Sequence, residues 1–289
     1  HFRVVRLGRR SHAREARLYD RQHPEIHQQL LPIWNEMLEA GLGGDVERPL
    51  RVLDFGCGTG FEATRLLESR YGASVEKLVC YDLSSEMIEV CRDRLSVFPC
   101  PIDFAASLDA IASGSTSFNL LLTNSLLHHL PEPTETIRTI LPILSEDAVW
   151  LAGHEPSSRF YKNGQCCAAF ARFNRARRLR RYASPSSYVN VAKRWLWPSA
   201  HPSGHAATSA LRAGLVRRKP SSIAVSRLVD FHVAHSASEA ASGRGFDFRE
   251  LEKEFGDQWS LAWSKTYSFM GHFFEGCLPP HWLKVCRQL

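Results

Sequence analysis

Apolar positions along this chain follow two periods in turn. From Ala13 to Ala40, Leu18, Ile26, Leu30, Ile33, Trp34, Met37 and Leu38 recur at helical spacing, and Gly41, Gly43 and Gly44 stop the run. Beyond them, short apolar runs alternate with amphipathic stretches. Leu50 to Phe55, Lys77 to Leu83, Ile102 to Ala106, Phe118 to Thr123 and Ala148 to Gly153 read as strands. Phe61 to Tyr71, Ser84 to Leu95 and Glu132 to Leu144 read as the helices between them. Strict alternation of this kind predicts α/β, a doubly wound and mainly parallel sheet.

After Glu155 the pattern changes character. Residues 156–245 are rich in Ser, Arg, Ala and Pro, with a basic helix expected from about Gly164 to Tyr182 and breaks at Pro185, Pro198, Pro202 and Pro220. Regularity returns with a helix over Phe248 to Phe255, N-capped by Asp247, and a strand over Trp259 to Phe269. The expected organisation is therefore an N-terminal helical cap over 1–44, a ligand-binding core over 45–155, a basic insertion or lid over 156–245, and the C-terminal part of the core sheet over 246–289.

Composition narrows the class. The chain has 289 residues, 44% of them hydrophobic and 23% charged, which suits a folded domain with a sizeable insertion rather than a disordered chain. No run approaches the ~18–20 apolar residues of a membrane span, and the first residues lack the apolar region of a secretory signal. A soluble, cytoplasmic protein is expected. The eight cysteines include no C-x-x-C pair, and several sit in apolar runs where a thiol packs as a small hydrophobe. Vicinal Cys166 and Cys167 are either a redox pair or simple packing.

Charge is unevenly placed. The net charge is +6, but from Pro156 to Ser238 fifteen Lys or Arg stand against one acid, Asp230, so the rest of the chain is net acidic. Six arginines fall between Arg172 and Arg181, either as a solvated helix face or as an attractor for an anion such as an acidic small molecule, a carrier protein, nucleic acid or an anionic membrane surface. Lys193 to Pro198 adds two tryptophans that could pack on a lid or on an apolar substrate.

The densest chemistry lies in LDFGCGTG, Leu53 to Gly60. Its glycines, Gly56, Gly58 and Gly60, are spaced G-x-G-x-G. The dinucleotide fingerprint would need a glycine at position 61, which is Phe61. The next strand ends at Asp82 in YDLS, where an acid can accept both hydroxyls of a ribose. The fourth strand runs into NLLLTNSLLHHLPEP, which brings Asn124, His128 and His129 to the C-terminal edge of the sheet, where such sheets bind ligands.

These three ordered motifs resemble the class I S-adenosylmethionine-dependent methyltransferase family over about residues 13–155. The resemblance implies a Rossmann-like, seven-stranded sheet and S-adenosylmethionine as cofactor, with S-adenosylhomocysteine as its product. It implies that Gly56, Cys57, Gly58 and Gly60 form the turn against the methionine and ribose portions, that Asp54 orients the methionine amino group directly or through water, and that Asp82 takes the ribose hydroxyls. Leu83 and Met87 would line the adenine, Asn124 would offer its backbone or amide near the methionine end, and Tyr19 would belong to the covering cap. Where relatives carry an acid for the adenine amino group, this chain has Ser107 and Leu108, with Asp109 just beyond.

Methyl transfer requires a base only when the acceptor must lose a proton. His154 and Glu155, after the fifth strand, and His128 are the candidates for an oxygen or nitrogen acceptor. His232 and His235 would face opposite sides of a strand, so no metal set is expected. The leading expectation is methylation of a small-molecule acceptor, plausibly anionic. RNA methylation with the arginine-rich insertion as a backbone clamp is the alternative, and a non-catalytic cofactor-binding scaffold is another. Oligomeric state is not legible.

Overall fold

The computed structural model describes residues 24–44, 46, 48–105, 107–112, 114, 117–165, 167, 168, 171, 172, 175 and 245–266. Five strands, β1 (Leu50–Phe55), β2 (Val75–Tyr81), β3 (Ile102–Ala105), β4 (Phe118–Asn124) and β5 (Leu144–Gly153), form one sheet in the order β3-β2-β1-β4-β5. Every neighbouring pair is parallel. The expected doubly wound architecture is thus present, with five strands among the described residues.

Strand residues alternate between two cores because their side chains project from opposite faces at a period of two. Leu50, Val52, Leu78, Cys80, Leu120, Leu122 and Leu151 join one core. Leu53, Phe55, Val79, Tyr81 and Leu121 join the other. Both faces are covered, which is why the strands read as continuous apolar runs. The first face packs against α1 (Pro24–Leu42), α2 (Phe61–Glu68) and α3 (Ser85–Leu95), through residues such as Trp34, Leu66 and Leu95. The second packs against α4 (Leu108–Ala112), α5 (Pro133–Ile140) and α7 (Phe248–Phe255), through Ile111, Ile137, Leu251 and Phe255. A short α6 (Ser158–Lys162) follows β5.

Several boundaries differ from the sequence expectation for local reasons. The helix expected to reach Tyr71 stops at Glu68, because Ser69 is extended and its N–H turns back to the carbonyls of Arg65 and Leu66. The helix expected to run to Leu144 ends at Ile140, and Leu141–Ile143 tightens into a 3-10 turn around Pro142. β5 begins at Leu144, four residues earlier than its apolar run suggests. The strand expected from Trp259 is absent over 259–266, which has no strand pairing. Its last residues, the first part of the N-terminal cap with Tyr19, and most of the basic insertion, including Lys193–Pro198, His232 and His235, lie outside the described residues. The helix over Phe248–Phe255 has the expected Asp247 cap, whose carboxylate accepts the N–H of Arg249.

The chain on either side of 158–245 comes together. Ser157 and Phe246 form a parallel bridge in which Ser158 N–H donates to the Phe246 carbonyl at 2.9 Å and Phe246 N–H to that of Pro156 at 2.7 Å. The chain between them therefore leaves and re-enters at one place, just past the C-terminal end of β5. Among the described residues no helix is long and apolar enough to cross a membrane.

Candidate active site

The strand order reverses between β1 and β4, so the connections leaving their C-terminal ends run to opposite faces of the sheet, the arrangement that leaves a crevice in such folds. Asp54 and Phe55 end β1, and Thr123 and Asn124 end β4. The turn leaving β1 needs three left-handed residues. Gly56, Gly58 and Gly60 have φ of 83°, 51° and 81°, which accounts for the G-x-G-x-G spacing. A Cβ at Gly56 would lie 2.7 Å from Leu126, whereas one at Gly58 would meet nothing within 4 Å. Gly58 therefore borders open space.

The turn is tied to the end of β2. Gly56 and Cys57 both donate to the carbonyl of Tyr81, at 2.8 and 3.0 Å. Asp82 accepts the N–H of Gly58 at 3.0 Å and that of Ser84 at 2.8 Å. Burial pushes its carboxyl up, against those two amides. Ser84 rather than Asp82 caps α3, through the N–H of Met87. Met87 is buried, while Leu83 stands nearly half exposed at the crevice rim. Ser107 accepts the N–H of Ala110 in the first turn of α4, and Leu108 packs into the second core. The thiol of Cys57 is buried in the first core, so this residue offers the crevice only its backbone.

Asp54 is the most unusual group in the site. It is 0% exposed, and neither carboxylate oxygen has a well-formed hydrogen bond among the described residues, although the nearby Ala63 backbone interacts favourably with it. Burial, then the nearby Glu62, pushes its carboxyl well above the ordinary range. Glu62 opens α2 and is itself buried, and its carboxyl is pushed up to about 8, chiefly by burial. The side chain of Asn124 bonds to Glu62, and its Oδ1 accepts the indole N–H of Trp34 at 3.2 Å. The amide that the sequence reading offered to a ligand is thus engaged on both sides by protein.

Across the crevice, Glu155 is equally buried and has the opposite environment. It accepts the N–H groups of Leu126, Leu127 and His128, at 2.7, 2.8 and 3.2 Å, at the start of the 3-10 turn Leu127–His129. The same carboxylate lies 2.8 Å from Nδ1 of His128. Burial alone would raise its pKa, but His128 and those amides outweigh burial and hold the carboxyl below its ordinary value. The His128 side chain remains 12% exposed. Two non-glycine residues with positive φ stand beside this pair, Ser125 at 52° and His154 at 54°, each just past the end of a strand. His154 also borders a cavity of about 360 Å³ flanking β5, lined by Met37, Trp150, Leu251 and Trp263 among others and by no residue of the glycine turn.

The structure therefore gathers Asp54, Gly56, Gly58, Gly60, Asp82, Asn124, His128, His154 and Glu155 at one edge of the sheet. Sequence reasoning missed Glu62 and Trp34. An acid in the first helical turn ordinarily faces solvent and complements the helix dipole, so nothing in the sequence marked Glu62 as buried.

A family model described as a methyltransferase domain matches residues 24–213. Malonyl-[acyl-carrier protein] O-methyltransferase of Halalkalibacterium halodurans is 25% identical over 119 residues, 40% of this chain and 43% of that protein. The chain thus spans less than half the length of that relative. Among solved structures, a methyltransferase of Bacillus halodurans C-125 described there as putative is 18% identical, with a TM-score of 0.35, over 43% of this chain and 51% of that one. The plantazolicin methyltransferase BpumL in complex with SAH is 16% identical, with a TM-score of 0.38, over 50% of this chain and 58% of the other.

Proposed function

This chain belongs to the methyltransferase-domain family, and we propose that it transfers a methyl group from S-adenosylmethionine to an oxygen or nitrogen atom of a small-molecule acceptor. The observation that carries this reading is Asp54, a buried carboxylate with no cation beside it among the described residues and no well-formed hydrogen bond, next to a turn that borders open space at Gly58. A buried carboxylate in that state calls for a cation, and the methionine end of the cofactor carries an ammonium. The donor set fits the group.

When bound, the cofactor supplies a methyl group on a sulfonium, already activated toward nucleophiles. Asp54 would hold the ammonium, directly or through a water, and Glu62, fixed by Asn124, would set the charge around it. Asp82, whose oxygens keep further lone pairs beyond the two amides they accept, receives the ribose hydroxyls. Gly58 lets the backbone approach closely. Leu83 and Met87 border the adenine, with Ser107 and Leu108 at its edge through backbone, since the Ser107 hydroxyl is occupied by α4. What this assembly contributes is mainly orientation, which can lower a barrier by roughly 7–11 kcal/mol in favourable cases.

Of the three base candidates, His128 is the one this reading favours. Glu155 accepts at Nδ1, which leaves Nε2 to take the acceptor's proton. Glu155 acts as a positioning residue, since its oxygens are committed and its carboxyl is held low. The basic excess between Pro156 and Ser238, on an excursion that leaves and returns beside the crevice, supports an anionic acceptor. Calorimetric titration of S-adenosylmethionine and S-adenosylhomocysteine into wild type and Asp54→Asn tests the reading. Micromolar binding weakened about 100-fold in the variant, ~2.7 kcal/mol, is expected. No binding by folded wild type would overturn it.

A further inference from the structure

Beneath the glycine turn three thiols converge from three different elements. Cys57 comes from the turn, Cys80 from β2 and Cys91 from α3, and their Sγ atoms all lie within 4.8 Å of one another. They are 1%, 0% and 0% exposed. The cluster is the floor of the turn, because a Cβ at Gly60 would stand 2.8 Å from the Sγ of Cys91. Arg94, one helical turn on from Cys91, reaches the same turn and donates to Thr59 at 3.2 Å.

We propose that Cys57, Cys80 and Cys91 form a closed three-thiolate site for one soft, thiophilic metal ion. Packing alone would be met by any small apolar side chain at each of these positions. It does not require three sulfur atoms to meet at one point. Three thiolates around one ion at about 2.3 Å stand about 4 Å apart, so the observed cluster needs only a small contraction. Thiolate-only ligation selects soft ions over hard ones. Loading a divalent ion displaces three protons from three thiols and leaves one net negative charge, which Arg94 and Arg92 offset and the nearby carboxyls of Asp54, Glu62 and Asp82 oppose unless they stay protonated. The bound ion would tie the turn, β2 and α3 together. The ligands are far apart in sequence and form no C-x-x-C, so spacing gives no sign of them.

The site is tested with Cd(II) as the probe, added anaerobically to the 289-residue chain reduced by a phosphine, with a parallel sample loaded during refolding to allow for the depth of burial. The readouts are retained metal, the ultraviolet thiolate-to-cadmium band, X-ray absorption and the thermal midpoint. The expected result is one retained ion per chain with a sulfur-only first shell and a raised midpoint. Cys57→Ala, Cys80→Ala and Cys91→Ala each lose the band and the rise, whereas a Cys166→Ser/Cys167→Ser variant keeps both. Circular dichroism checks that each variant folds, and the wild-type absorption spectrum decides without any variant. Failure of wild type to retain cadmium in either sample, a first shell containing oxygen or nitrogen, or loss of the band only in the Cys166/Cys167 variant would overturn the proposal. None of these outcomes depends on the methyltransferase reading.

Discussion

Asp54 and Glu155 lie on opposite sides of one crevice, both sealed from solvent, yet they are built in contrary ways. Glu155 has three backbone amides and an imidazole. Asp54 has, among the described residues, no well-formed hydrogen bond beyond the weak support of the Ala63 backbone, and a second buried acid, Glu62, beside it. The first arrangement is complete in itself: it caps a 3-10 turn, fixes His128 and shapes one wall. The second is incomplete, and its unfavourable electrostatics are relieved only by something from outside. Burial alone does not separate a structural acid from a binding acid, whereas hydrogen-bond accounting does.

The contrast is broken most directly by truncation. Glu155→Ala strands the amides of the 3-10 turn and removes the partner of His128, so chemical denaturation should show a loss of ~3–5 kcal/mol. Asp54→Asn should move the other way in the ligand-free protein, neutral or stabilising by ~1–3 kcal/mol, because it removes a carboxyl that burial and Glu62 force to take up a proton on folding. If both substitutions destabilise alike, the distinction fails.

Stability against pH sharpens the same contrast, because the two sides titrate with opposite sign. Glu62, with its folded pKa at about 8, and Asp54, also raised, bind protons more tightly folded than unfolded. Their side of the crevice should therefore lose stability as pH rises from the ordinary carboxylate range toward 8, by up to a few kcal/mol. Glu155 is lowered on folding, so its contribution is present above its unfolded value and is lost as pH falls through the folded one. Melting the ligand-free protein across this range should show the alkaline decline flatten in Glu62→Gln and the acid-side loss shrink in Glu155→Gln.

The smallest effect separates backbone strain from ligand space. Gly58 and Gly43 both have positive φ and no atom within 4 Å of a Cβ. Alanine at either should cost about 1 kcal/mol of stability. Only Gly58→Ala should also weaken cofactor binding, by about tenfold or more, as measured by the same titration.

Much of this was legible beforehand because it is local. Continuous apolar runs mark strands covered on both faces, and the glycine spacing reports three left-handed residues, so the parallel sheet and the place of its turn follow from neighbouring residues. Asp247 and Ser84 cap helices by reaching amides two and three positions ahead, a relation that sequence spacing also carries. The sequence could not show which acids are paired. Trp34 meets Asn124, and Glu155 meets the amides of Leu126 and Leu127, only because the fold brings distant segments together. The environment of a charge depends on everything within a few ångströms in space, and β1, β4 and β5 become neighbours only when the sheet assembles. Sequence determined which residues carry the chemistry. Tertiary structure decided which of them are already satisfied and which still require a ligand.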